Sequence, residues 1–144
     1  MIGWEFLDAG LEKYGGENWF AGINDQFPTP FNLVSADINW FLATWFEIIG
    51  GTALIVGLGT RFFAISLMVL TIVAALAVHM PDQWNSIVEL AKGYAISNDG
   101  HGNFKLPLMY FTMLIPFVFI GAGNLSVDAL ISKAMKKPSN GAFE

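Results

Sequence analysis

This sequence predicts an all-α integral membrane protein, a four-helix bundle with a short or truncated first helix and an interfacial helix in one long outer loop. Three observations predict it. Hydrophobic residues make up 54% of the 144-residue chain and charged residues 13%, against about 25% charged in a soluble domain. Apolar runs of membrane-crossing length recur near 38–58, 62–80 and 106–121, each close to the ~20 residues a bilayer helix needs. Connections between them carry Gly, Pro and interfacial aromatics.

The elements follow in order. Near 1–14, Trp4, Leu7, Leu11 and Tyr14 recur at helical spacing beside an acidic stripe of Glu5, Asp8 and Glu12, and Gly15-Gly16 ends the pattern. About a dozen residues before Lys13 are too few for a crossing, so this helix is expected to be truncated relative to a full span. No cleavable signal peptide is expected, because no basic region precedes an apolar run. Residues 17–37 form a loop with Trp19, Phe20, Phe27 and Phe31, suited to a membrane–water interface. The second helix, near 38–58, carries Ala43, Glu47, Gly50, Leu54 and Gly57 at steps of four and three. One face is therefore small residues plus a single acid, the pattern of close helix packing, with Gly51 beside it; Glu47 is expected to point into protein.

Gly59-Thr60-Arg61 is read as a tight turn, and the third helix near 62–80 places Ala64, Met68, Thr71, Ala75 and His79 on one face until Pro81 closes it. Within 81–105, Trp84, Ile87, Val88, Ala91 and Tyr94 predict a short surface helix, followed by a polar loop with His101. Pro116 is expected to kink the last span. Ser126 reads as an N-cap of an exit helix with Asp128 in its first turn. The membrane domain is assigned to 1–137 and a tail to 138–144. Arg61, Lys133, Lys136 and Lys137 on one side outnumber Lys13, Lys92 and Lys105 on the other, which places the C-terminus in the cytoplasm and the long loops outside.

Composition excludes several chemistries. Cysteine is absent, so thiol catalysis, a CxxC pair and iron–sulfur ligation are ruled out. Twelve acids against seven bases, without a basic patch, argue against nucleic acid as a partner. His79 and His101 are the sole histidines, both on the outer side, which argues against a bis-His haem within the chain. The lipid bilayer is the first partner, and other membrane subunits or a second copy are expected beside it.

The candidate site is built on Glu47, since an intramembrane carboxylate is costly and a functional candidate by default. At ~1.5 Å per residue, Glu47 lies ~13 Å below the outer start of its helix. If Lys13 marks the outer end of the first helix, Glu5 lies ~12 Å down, level with Glu47, with Asp8 above and His79 and Glu12 at the mouth. The expectation is an outward-opening acidic, histidine-bearing cleft able to hold a cation or share protons. Glu47, His79 and Glu5 are its candidate metal ligands. The competing reading makes Glu47 a packing lock, His79 an interfacial cap, the acidic stripe a solvated face and Arg61 a topology residue.

Several pieces together resemble the DoxX family of small four-helix membrane proteins: Gly10-Leu-Glu-Lys13, Glu47-Ile-Ile-Gly-Gly51, Gly57-Leu-Gly-Thr-Arg61, His79 closing the third helix, and Gly121-Ala-Gly-Asn-Leu-Ser-Val-Asp128. His79-Met-Pro-Asp-Gln-Trp84 with His101-Gly-Asn103 looks most like the HvfX-like branch, found beside copper- or iron-linked modified-peptide systems. The chain departs from the family where members usually carry another helical half, often with an Arg, ahead of Gly-x-x-Lys. The resemblance implies an inner-membrane subunit in redox or metal-stress physiology. Related members belong to quinone-linked systems such as thiosulfate:quinone oxidoreductase, so a metal ion or a quinone is the implied ligand, with a structural anchor as the third alternative. Lys13, Glu47, Arg61, His79 and Asp128 are the family-typical polar residues. No catalytic residue is implied, and an isolated chain without flavin, haem or iron–sulfur motifs is not expected to be an enzyme by itself.

Overall fold

The computed structural model describes residues 1–81, 83–94, 102–123 and 126–135. His101, Lys136, Lys137 and the 138–144 tail lie outside the described residues. Among the described residues there are six α-helices and no strand: α1 (Ile2–Gly15), α2 (Ala36–Val56), α3 (Thr60–Ala74), α4 (Ile87–Lys92), α5 (Lys105–Phe119) and α6 (Val127–Met135). A single π turn, Ala75–His79, prolongs α3, with the Met80 amide donating to Ala75 O at 3.0 Å. Among the described residues two helices are long and apolar enough to cross a membrane, α2 and α3 with its π turn. The helix expected over 106–121 is shorter than a full span: α5 holds 15 residues, ~22 Å against a ~30 Å hydrocarbon core. The expected surface helix is α4, six residues long, with Ser86 accepting from the Glu89 amide as its N-cap.

Helices α1, α2, α3 and α5 contact one another in ring order, most extensively α1 with α2 and least α5 with α1. Glycine sets the tightest seam. A Cβ at Gly51 would lie 2.6 Å from Gly3 O and from the Leu7 amide, and one at Gly10 would lie 2.8 to 3.0 Å from Ile48 and Glu47. Backbone therefore meets backbone, and the antiparallel register of α1 on α2 is fixed by these contacts. On the other side of α2, Gly50 receives the Leu67 side chain of α3.

Two apolar cores result. At the α2–α3 turn end, Ile2, Phe6, Leu54, Ala64, Leu67 and Leu114 bring all four helices together. At the opposite end, Phe20 and Phe27 from the 17–35 loop pack on Ala77 with Trp40, Ala43 and Val73 around them. That loop is not a loose connection. It is coiled into three short 3₁₀ turns, Asn18 bonds the Asp37 carboxylate at 2.8 Å, and buried Asn39 donates to Phe31 O at 2.8 Å.

The turn end is tied together across the chain. Gly57, with φ 72°, ends α2, and a Cβ there would lie 2.5 Å from that of Ser126. Gly57 is thus a terminator seated on the exit segment rather than part of the helix-packing face on which the spacing placed it. The Asp128 amide donates to Gly57 O at 3.0 Å. Its carboxylate accepts from the Gly59 amide (2.8 Å), the Thr60 amide (3.2 Å) and Thr60 Oγ1 (3.3 Å). Gly59 has no side chain to cap α3, so Asp128 supplies the cap from α6, 68 positions away. These bonds, the Gly59 amide foremost, hold the Asp128 carboxyl below the ordinary range. Arg61 donates to Phe119 O at 3.1 Å, satisfying a carbonyl at the C-terminus of α5.

Candidate functional site: a groove with a buried ion pair

The register of α1 on α2 brings Lys13 directly onto Glu47. Lys13 Nζ lies 2.7 Å from Oε2 and 3.0 Å from Oε1, so the ammonium bridges both oxygens. The Glu47 side chain is 6% exposed and that of Lys13 19%. Small residues make the approach possible: Gly10 sits one turn before Lys13 and lies against the Glu47 Cβ.

This pair stands in the wall of a half-open groove of about 620 Å³ between α2 and α3, roofed by the 17–35 loop. Leu42, Ala43 and Phe46 come from α2; Ile65, Val69, Leu70, Val73 and Ala74 from α3; Trp19, Phe20, Phe27 and Phe31 from the loop. The polar groups are few: Lys13, Glu47, Asn39, Ser66 and His79. A volume of this size, apolar with a few convergent polar atoms, is typical of a small-molecule site. An ammonium has three donors, so Lys13 retains hydrogen-bonding capacity for a group in the groove beyond its bonds to Glu47.

His79 is at the far end. The Gly50–Leu67 contact sets the α2–α3 register, which puts Glu47 level with Leu70 and His79 nine residues beyond, ~13 Å along the axis. Its Nδ1 faces Asn103 Oδ1, and the Asn103 amide donates to His79 O at 2.9 Å.

The other sequence candidates lie elsewhere. Glu5 does not share the Glu47 level: Gly51 packs on α1 between Gly3 and Leu7, so Glu5 is level with Gly51, about one turn closer to the α2–α3 turn. There it accepts from Tyr110 Oη of α5 at 3.2 Å. The expected pairing fails because Gly10, not Glu5, is level with Glu47, which leaves Lys13 one turn further out with its ammonium reaching back to the carboxylate. Asp8 and Glu12 are exposed on α1, away from the groove. Arg61 and Asp128 form the turn-end brace. Among the described residues no three His, Asp or Glu side chains converge as a metal cluster would require; Glu47, His79 and Glu5 are each engaged with a different partner. The Lys13 contact escaped the sequence reading, although Gly3 and Gly10, seven apart on one face, were the signal for the register that makes it.

The DoxX family model matches residues 1–80, more than half of the chain. The chain is also 45% identical over 133 residues to an uncharacterized protein of Haemophilus influenzae, covering 92% of this chain and 80% of that one. It belongs to the DoxX family. No solved structure matches it. The matched segment ends at residue 80, and so contains Lys13, Glu47, Arg61 and His79 but not Asp128 or Asn103.

Proposed function

We propose that the chain is a multi-pass membrane protein whose α2–α3 groove binds a lipid-soluble carbonyl compound of the quinone class, with the carbonyl turned toward Lys13. The observation that carries this reading is the groove itself: 620 Å³ of largely aromatic and aliphatic wall around a single buried ion pair. A low-dielectric setting strengthens a hydrogen bond from the ammonium to a carbonyl oxygen, and Glu47 is placed to exchange a proton with Lys13. The quinone reading is favoured over a resident metal because Lys13 occupies both Glu47 oxygens.

The membrane setting is supported by the outward surface. Phe41, Ile49, Phe62, Ile72 and Leu76 are all exposed along α2 and α3 and outside the groove lining, an apolar exterior that suits lipid and not water. In this reading the turn end, which carries Arg61 and Lys133, faces the cytoplasm of a bacterial inner membrane and the aromatic loop lies outside, in line with the bias of basic residues toward the cytoplasmic side. In the same reading the protein serves as a ligand-holding subunit of a larger redox assembly, in which a partner would supply the electron carrier.

Trp19 lines the groove and is a reporter for the test. In nanodiscs, a short-chain quinone is expected to quench tryptophan emission saturably in the wild type. Quenching is expected to become weak and linear in Ala43→Phe, which fills the groove, and to saturate normally in Trp4→Phe, on the far surface. Identical linear quenching in wild type and Ala43→Phe would count against the reading. Copper or iron retained by purified wild type and lost in Glu47→Gln would replace it with the metal reading.

A further inference from the structure

We infer that His79 is a second, acceptor-only polar anchor of the groove, selective for the hydroxyl of a reduced quinol, and that Asn103 is the positioning residue that makes it so. The inference rests on the quinone-class reading of the groove and extends it to the redox form held at the loop end.

The segment 102–104 is built around this histidine. Its amide at Asn103 donates to His79 O at 2.9 Å, and the Phe104 amide donates to Gly93 O at 3.0 Å, anchoring the segment on its other side. Gly102 has φ 78°, and a Cβ there would collide with the His79 carbonyl oxygen; only glycine meets both demands. Asn103 Oδ1 then meets Nδ1 of the ring.

Chemistry fixes the rest. The Asn103 amide oxygen accepts, so this contact goes with a proton on Nδ1, and in that tautomer the lone pair stands on Nε2. His79 lines the groove and Asn103 does not, and with Nδ1 turned to Asn103 the inference gives the Nε2 edge of the ring to the groove. The two polar stations therefore differ in kind. Lys13 offers a donor, which a quinone carbonyl satisfies. His79 offers an acceptor ~13 Å away, which a hydroxyl satisfies and a carbonyl does not. A hydrogen bond of ordinary net strength corresponds to roughly a 5- to 10-fold preference.

The test uses the full chain in nanodiscs under anaerobic conditions, with a short-chain quinol and its dimethyl ether as probes. Side-chain ¹⁵N spectra, assigned against His79→Gln, report the tautomer at one fixed pH. The wild type is expected to show Nδ1–H with unprotonated Nε2 and to bind quinol roughly 5- to 10-fold more tightly than the ether. In Asn103→Ala the tautomer is expected to shift toward Nε2–H and the preference to fall to about one. His79→Phe keeps a ring in place but removes the acceptor, and should likewise abolish the preference. An Nε2–H tautomer in the wild type, or a quinol preference that survives both substitutions, overturns the inference. If quinone binds but the ether and the quinol bind alike, the selection fails and the groove reading stands. If neither quinone nor quinol binds, both fall.

Discussion

Replacing Lys13 with methionine preserves most of the side-chain volume and removes the charge that neutralises Glu47. The two partners are unequally placed: the Glu47 side chain is 6% exposed and the Lys13 side chain 19%. Loss of Lys13 strands the more deeply buried charge, and removal of one partner from a buried pair costs about 3–5 kcal/mol. Loss of the carboxylate in Glu47→Gln is milder, ~1–2 kcal/mol, because a lysine on a flexible stem can swing its head toward water. The double variant has no charge to strand. It is expected to be more stable than Lys13→Met alone, with a coupling of ~3 kcal/mol between the sites, well above the ~0.5 kcal/mol limit of additivity. The assay is reversible unfolding in bicelles followed by steric trapping, applied to the wild type, both single variants and the double. Additive single effects, or a double variant less stable than Lys13→Met, would refute the claim that the pair is closed and buried.

Further expectations concern the framework around the pair. Gly51→Ala puts a methyl 2.6 Å from Gly3 O and the Leu7 amide, so it should destabilise by roughly 1–3 kcal/mol or more; Gly15→Ala, with nothing within 4 Å, should be neutral in the same unfolding assay. Asn39→Leu leaves Phe31 O without its 2.8 Å donor and should cost ~1–3 kcal/mol, seen first as faster proteolysis within 19–34. Asp128→Ala removes the cap of α3 and should cost ~1 kcal/mol. The Asp128 carboxyl is held low, chiefly by the Gly59 amide, so its contribution is present in full above the unfolded carboxylate value of ~3.9 and is lost as pH falls through the folded value. The stability gap between wild type and Asp128→Ala should therefore be flat at neutral pH and close in acid; a gap that widens below pH ~4 would contradict the cap.

How much of this was legible in the chain differs from element to element. The inward direction of Glu47 followed from its own helix: Gly50 and Leu54 lie on the same face, and a local period fixes which residues share a face. His79 was legible for the same reason, as the polar end of an apolar stripe. What local period cannot give is the sliding of one helix along another. Taking Lys13 as the outer rim paired Glu47 with Glu5; Gly10 against Ile48 and Glu47 sets the true register and brings the Lys13 ammonium there instead. Asp128 was read as a residue of its own helix, yet its carboxylate closes α3 across 68 positions, a contact with no local trace. The loop over 17–35 showed interfacial aromatics, but that Phe20 and Phe27 fold inward to roof a groove depends on Ala77 and Val73 of a distant helix. Asn103 stood in the sequence only as part of a motif; its role emerges from the His79 ring it holds.

The central claim, that the α2–α3 groove is a binding site for a lipid-soluble ligand, is tested most directly by what the protein carries out of the membrane. Wild type and Ala43→Phe would be purified identically in a mild detergent, and their bound neutral lipids quantified by liquid chromatography and mass spectrometry per mole of protein. A near-stoichiometric quinone-class species is expected in the wild type, depleted at least tenfold in Ala43→Phe, with annular phospholipid unchanged. Equal amounts of every lipid species in the two proteins would contradict it.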